Sequence, residues 1–331
     1  MERHHWDPWR ERPSGLVVPV RIDPAGVTGP TRGQAKRKGW RQCAHGWYVP
    51  ADVDGDVVEQ RILEQAVRLP ESGAVTGWAS LRWRGATFFD GTAEGGRRVL
   101  PVPLRPGGVG NLRHDPRAEI SREQLAPYER ENVAGISCAT VTRATFDEMR
   151  REGRLRPAVI TLDMAAAAGL ISVAEMAAYV ATRASWTGVP LVRLALVLAT
   201  DHSRSPQETR LRLIWVIDAE LPPVLVNRAV FDLNGRVLGY PDLLDPVAGV
   251  VGEYNGADHR DRDRHQADVV REDRFRSHGL ECFTVVADDM SDRALVVDRM
   301  RRARSRAKFL TPEARAWTLE PPPWWTGPLH R

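Results

Sequence analysis

Cysteine is scarce. The 331 residues hold three, Cys43, Cys138 and Cys282, far apart and odd in number. That excludes a disulfide framework and a CxxC zinc clip, and it fits a reducing, cytoplasmic setting. A secretory leader is not expected either, because the opening MERHHWDPWRERP is charged with no apolar stretch behind it. Long hydrophobic runs are nearly absent. The one window that is almost wholly apolar, Met164 to Ala181, contains Gly169, and its Ser172-Val173-Ala174-Glu175 has the spacing of a helix capping box. Two short amphipathic helices broken at Gly169 are therefore predicted in place of a membrane span, and no membrane partner is expected. Internal repeats are also lacking.

What is present points to a loop-rich globular chain. Its 11 tryptophans, 24 prolines and 27 glycines argue against a coiled coil, and its length suits roughly two domains at about 150 residues each. Forty-seven basic against forty-three acidic residues leave a formal +4, and the pI near 9.2 leans toward a polyanionic partner. Residues 1–30, rich in Pro, Gly and Arg, read as a flexible arm. Residues 31–142 read as a basic, winged-helix-like and β-rich region. In it Thr31 caps a short helix carrying Lys36, Arg37 and Lys38, Gly39 ends that helix, and Trp47-Tyr48-Val49 forms a strand. Helical periodicity over Gly55–Leu69 precedes strands predicted at Val75-Thr-Gly-Trp-Ala-Ser, Thr87-Phe-Phe, 98–102 and 136–141. No catalytic constellation is visible there. Residues 143–202 read as an alanine-rich helical connector.

From residue 203 the pattern changes. Ser205-Pro206-Gln207-Glu208 opens a helix with N-cap, N1 proline and N3 glutamate in order. Leu225–Phe231 reads as a strand, Asn234-Gly235 as a hairpin turn, and Arg236–Leu243 as the returning partner. Val247–Tyr254 is a third strand, apolar enough to be central. Arg262–His278 is a charged helix ended by Gly279, Cys282–Ala287 a fourth strand, and Asp292–Lys308 a last helix. The order is helix, three antiparallel strands, helix, strand, helix, spanning 203–310, with 311–331 as a Pro/Trp-rich tail. The fold class is thus α/β, or more closely α+β.

Asp242 and Glu253 are symmetric about Val247-Ala248, so a hairpin turning there makes them face each other. Facing residues have Cβ atoms about 4.5–5.5 Å apart, and two carboxylates that close repel unless a cation lies between them. Oxygen ligands of this kind suit Mg²⁺ or Mn²⁺. Asn255 shares the face of Glu253, and the backbone carbonyl of Tyr254 is available to a metal shell.

A helix with glutamate, then Pro241-Asp242, then Glu253-Tyr254-Asn255, resembles the PD-(D/E)XK nuclease pattern on a restriction-endonuclease-like core. The longer series Glu253-Tyr-Asn-Gly256-Ala-Asp-His259, followed by Asp268, Arg271, Phe275 and Gly279, is similar to endonuclease-like domains related to the very-short-patch mismatch repair endonucleases. The likeness covers about residues 203–305. Upstream, Val141-Thr-Arg143, Leu162-Asp163 and an alanine-rich helix pair resemble, more loosely, actinobacterial proteins that fuse this domain to an antitoxin-like winged helix.

The resemblance implies Asp242 and Glu253 as metal ligands, Glu208 as the helical acid binding metal or its water, and His259 as a general acid/base. Asp268 and Arg271 then face the site or pair with each other. It implies hydrolysis of DNA phosphodiesters with Mg²⁺ or Mn²⁺ and Asn255 orienting the water. Lys36, Arg37, Lys38, Arg271, Arg301 and Arg302 are the candidate phosphate contacts. Asn255 stands where nucleases usually carry lysine and this subfamily commonly carries aspartate. That departure suits the alternative, a non-catalytic DNA-binding or antitoxin-like regulator on a nuclease-like core. Two local readings stay open: Glu208 as the N3 residue of a capping box, and Asp242 as a turn residue beside Asp245-Pro246.

Overall fold

A computed structural model describes residues 7–93, 96, 98–108, 112–256 and 262–330, with the backbone alone for residues 262–269. The chain divides into two units at residues 196 and 197. It is a mixed α/β protein with several separate sheets. No helix among the described residues is long and apolar enough to cross a membrane.

In the first unit a hairpin of β1 (Trp40–Ala44) and β2 (Trp47–Pro50) precedes helix α1 (Val58–Ala66). A mixed sheet follows. Its order is β5 (Ala118–Ile120), β4 (Val102–Arg105), β3 (Ala74–Val75), β7 (Ile136–Ala139) and β6 (Arg130–Val133). Helices α2 (Gly77–Trp83), α3 (Val141–Arg151), α4 (Leu155–Ala167), α5 (Val173–Ala181) and α6 (Val189–Leu198) complete it. The break at Gly169 has φ +68°, and Ser172 and Glu175 cap α5 reciprocally through Glu175 N–H to Ser172 Oγ (3.1 Å) and Ser172 N–H to Glu175 Oε2 (2.7 Å).

Three expectations for this unit change. Val75–Ser80 is not one strand: β3 ends at Val75 and α2 starts at Gly77. Gly77 sits at φ +50° where a side chain would meet Glu148, and the Trp78 N–H donates to Glu148 Oε2 (2.9 Å). The short basic helix is a single 3-10 turn, Gln34–Lys36, with Lys36, Arg37 and Lys38 exposed beyond any regular helix. Residues 7–30 are tied down and do not form a loose arm. Val20 exchanges backbone hydrogen bonds with Tyr48, and the Val17 N–H donates to Gln60 Oε1 (2.9 Å).

A buried polar cluster around α3 was not legible in the sequence. Arg143 is fully buried, and its guanidinium reaches Glu129 (2.8 Å), Asp147 (3.1 Å) and Glu123 (3.3 Å). Arg105 and Arg150 each pair with both Glu123 and Asp147, and Arg183 pairs with Glu129. Charges buried this deeply persist only when paired and hydrogen-bonded.

The second unit positions the candidate site. Ser205 caps α7 (Pro206–Leu213), which runs on into one π turn, Ile214–Asp218. Two antiparallel strands, β8 (Val230–Asp232) and β9 (Val237–Gly239), turn at Gly235 (φ +82°). Strand β10 (Leu243–Asp245) then pairs antiparallel with β11 (Val250–Asn255). Asp245 makes this turn, its Oδ1 accepting from the Val247 and Ala248 N–H groups, and Gly249 closes it at φ +74°. Helix α8 (Arg262–Ser277) is the crossover that a parallel partner requires, and β12 (Glu281–Val286) lies parallel to β11. Helix α9 (Arg293–Arg306) follows, capped by Asp292, and β13 (Trp317–Thr318) comes last.

Alternate residues of β10, β11 and β12 face opposite ways. Leu243, Val250, Phe283 and Val285 join Leu211 and Trp215 with Val296, Met300 and Ala303 of α9. Leu244, Val251 and Cys282 join Phe275 of α8 and Trp317 on the other side.

The expected run of three antiparallel strands is divided between two sheets. Strands β8 and β9 belong with β13, and β10 with β11 and β12. Both arms of the first hairpin break at one level. Leu225 bridges Leu244 in the second sheet before the chain turns at Asn227, while Pro241 ends the return arm and its carbonyl accepts from the Asn227 N–H (3.0 Å). A proline without an N–H cannot continue a central ladder. Of residues 311–331, expected as a tail, the described part packs onto β8 instead: Trp317 is buried in β13, and Trp325 meets Phe231 edge to face at 5.1 Å.

Candidate active site

Asp242 is the first residue after the Pro241 break and lies one step before β10. The register pairs Leu243 with Gly252, so its continuation sets Asp242 opposite Glu253. The hairpin turns about Val247-Ala248, as the spacing predicts. Asp242 is buried, and its Oδ2 accepts from the Tyr254 N–H at 2.7 Å. This bond joins the head of β10 to the candidate segment Glu253-Tyr254-Asn255 of β11.

Glu208 on α7 is a second buried acid that acts electrostatically on this site. The Ser205 Oγ accepts from the Glu208 N–H (3.2 Å), which is the capping half of the local reading. The Glu208 carboxylate serves the helix start and also reaches beyond it, its Oε2 accepting from the Arg204 N–H (2.8 Å) and from Asn227 Nδ2 (2.8 Å). Burial, reinforced by the Asp242 carboxylate, pushes its pKa up to about 7. Glu208 and Asp242 are thus two buried carboxylates, the second raising the pKa of the first, and capping alone does not account for Glu208.

Glu253 faces α8. Its Oε2 lies 3.2 Å from Arg271 Nη2, and both side chains are largely covered. Asn255, two residues on, is exposed at the end of β11 and pairs with Val286. The ring of Tyr254 points the other way, into the core beside α9. His259 lies outside the described residues, as does the side chain of Asp268.

The basic run on α9 is largely tied up within the unit. Arg299 pairs with Asp289, Arg302 with Asp298, Arg304 with Asp245 and Arg306 with Glu281. Arg301 donates to the Ala219 carbonyl (3.3 Å). The three cysteines are free and buried, and burial pushes their thiols up, to about 11 for Cys43 and Cys138 and about 12 for Cys282. Thiolate chemistry is therefore remote from this site.

Asn227 and His202 were missed. Asn227 is buried at φ +49° and its side-chain amide donates to both Glu208 Oε2 and the His202 carbonyl (2.9 Å). The one sequence signal was an asparagine within an apolar strand, the residue best suited after glycine to a left-handed turn. The His202 ring stacks on His330 at 3.6 Å, and burial followed by the His330 charge lowers its pKa.

Among the described residues no group of three or more His, Cys, Asp and Glu side chains is gathered to hold a metal ion. The donor set that exists is the Glu208–Asp242 pair, with backbone oxygens and water. That set fits Mg²⁺, which usually keeps several waters and takes one or two carboxylates. No known protein family, curated protein or solved structure matches this chain.

Proposed function

We propose that the second unit is a divalent-metal-dependent endonuclease hydrolysing DNA phosphodiester bonds on a restriction-endonuclease-like core. The observation that carries this reading is the pair of buried carboxylates Glu208 and Asp242, tied through Asn227 to each other's segments at the head of the β10–β11 hairpin. Two acids held together out of water are costly unless they share a proton or a cation.

Asp242 and Glu208 would bind the ion, with Glu253 joining them when it parts from Arg271. A bound Mg²⁺ or Mn²⁺ supplies charge to steady a phosphoryl oxygen and acidifies water. The Tyr254 N–H orients the Asp242 carboxylate. Arg271 holds Glu253 and offers a guanidinium to a phosphate. Asn255 orients the attacking water, and His259 moves a proton to or from the reacting oxygens. Lys36, Arg37, Lys38, Arg301 and Arg302 add sequence-independent phosphate affinity. A regulator that keeps the core without the chemistry is the second reading. Exposed Asn255 favours it, since an amide does not stabilise hydroxide as an ammonium does.

The test is nicking of supercoiled plasmid by the full chain with Mg²⁺ or Mn²⁺, beside Asp242→Ala, Glu208→Ala and Glu253→Ala. Nicking is expected from the parent chain and should fall in each variant. Equal nicking by all four would identify a contaminant and end the catalytic reading. A salt-sensitive gel shift that survives the substitutions, without nicking, would establish the regulator instead.

A further inference from the structure

We propose that Asn227 is the positioning residue of the acid pair, its amide and left-handed backbone fixing Glu208 against Asp242 and so setting the affinity of the pair for a divalent ion. The inference rests on the reading of that pair as the ion-holding site.

Three segments meet at this one residue. The Asn227 Nδ2 donates to Glu208 Oε2 (2.8 Å) and to the His202 carbonyl (2.9 Å), so the side-chain amide joins α7 to the loop before it. The backbone N–H donates to the Pro241 carbonyl (3.0 Å), one peptide before Asp242. A single buried residue, through its side-chain amide and its backbone N–H, therefore ties the helical acid to the chain that presents the strand acid.

The backbone matters as much as the amide. Asn227 has φ +49°, and here the outgoing arm leaves the sheet of β10 to enter that of β8. The return arm makes the opposite change at Pro241, so both arms cross at the same level. A residue unable to adopt this turn would shift where Asp242 emerges. Most side chains resist that region, whereas asparagine tolerates it.

The chemistry of the donor is also informative. A guanidinium or ammonium at this point would orient Glu208 while contributing a full positive charge. The neutral amide orients the carboxylate and contributes none, so the attraction of the pair for a cation is preserved. Partners that orient ligating carboxylates typically alter metal affinity by about 10- to 100-fold when removed.

The experiment is Mn²⁺ binding by isothermal titration calorimetry, together with the Mn²⁺-induced change in Tm, on the full chain. Asn227→Gly keeps the positive φ and removes the amide. Asn227→Asp keeps shape and backbone preference but replaces donor with acceptor. The expected result is a dissociation constant raised at least about tenfold in folded Asn227→Gly. For Asn227→Asp, lower metal-free stability and a larger Mn²⁺-induced rise in Tm than the parent are expected, because the ion relieves a third acid. A purely structural role would lower Tm alone. Parent-like Mn²⁺ affinity in Asn227→Gly, or a parent-like Mn²⁺-induced Tm shift in Asn227→Asp should the glycine variant not fold, would overturn the proposal. Absence of Mn²⁺ binding by the parent chain would overturn the ion-site reading itself, and the proposal with it.

Discussion

Arg271 on α8 places its Nη2 3.2 Å from Oε2 of Glu253 on β11. This ion pair closes the α8 side of the sheet at the level where the Tyr254 N–H holds Asp242 from the neighbouring strand. Acidic groups from α7, β11 and the head of β10 are thereby brought to one end of a three-stranded sheet, each with a different kind of partner. Glu208 has an amide and a backbone N–H, Asp242 a backbone N–H, and Glu253 a guanidinium. The differences in partner lead to differences in expected response.

The first expectation concerns pH. The folded-state pKa of Glu208 is about 7 against an ordinary 4.5. Between those values the folded chain keeps a proton that the unfolded chain has released. The contribution of this group to stability is therefore complete below pH 4.5 and is lost as pH rises through 7. Glu208→Gln, which cannot ionise, should flatten the decline of Tm between pH 5 and 8. It should also gain on the order of 2–3 kcal/mol over the parent at pH 8. Saturating Mn²⁺ should stabilise the parent more at pH 8 than at pH 5. Parallel Tm–pH curves for parent and variant would count against the coupled pair.

Arg271→Ala separates stability from chemistry. The pair is largely covered, and removing the guanidinium leaves the Glu253 carboxylate without this partner, so its loss should cost about 1–3 kcal/mol, read as a fall in Tm. Under the nuclease reading plasmid nicking should fall at least about tenfold, because a charge-assisted phosphate contact goes with it. A variant that loses stability without losing nicking would confine Arg271 to a structural pair.

How much of this was legible follows from individual residues. The Asn234-Gly235 turn and Gly279 mark their turns locally, because each glycine lies at positive φ, whereas Gly249, also at positive φ, falls inside the expected strand Val247–Tyr254, which begins only at Val250. The alternation of strands and helices from α7 to α9 could therefore be read, except that the expected single strand Arg236–Leu243 is broken at Pro241 into β9 and the approach to β10, giving four strands where three were expected. The division into two sheets could not, since it depends on Asn227 and Pro241 meeting across 3.0 Å, a tertiary fact. Glu208 was visible as a capping residue, but its coupling to Asp242 requires the fold. In the first unit Gly77–Trp83 alternates apolar and small residues in a way that suits either a strand or a helix. The Glu148 carboxylate on the Trp78 N–H accompanies its helical start.

The buried arginine cluster supplies a third test. Arg143→Ala strips a fully buried guanidinium from Glu129, Asp147 and Glu123. Breaking one partner of a buried ion network typically costs about 3–5 kcal/mol. Arg105, Arg150 and Arg183 still touch the same acids, so the loss should sit at the lower end. Arg143→Lys should be nearly as damaging, because an ammonium cannot reproduce the planar fork that reaches three carboxylates. Denaturant unfolding of both variants reads this directly, and a lysine variant as stable as the parent would show that charge alone suffices.

The last test bears on the C-terminal segment. Trp317 is buried among Val230, Leu244 and Val251, and β13 pairs with β8 through it. Truncating such a side chain to alanine should cost about 3–5 kcal/mol. Trp325 meets Phe231 edge to face and is less enclosed, so Trp325→Ala should cost about 0.5–1.5 kcal/mol beyond its lost burial. Because the chain passes at Asn227 from the sheet of β10 into that of β8, loosening β13 should also reach the acid pair. Trp317→Ala is therefore expected to weaken Mn²⁺ binding as well as lower Tm, and Trp325→Ala to lower Tm with Mn²⁺ affinity kept. If both variants retain the Mn²⁺ affinity of the parent, the C-terminal strand supports the fold without conditioning the site.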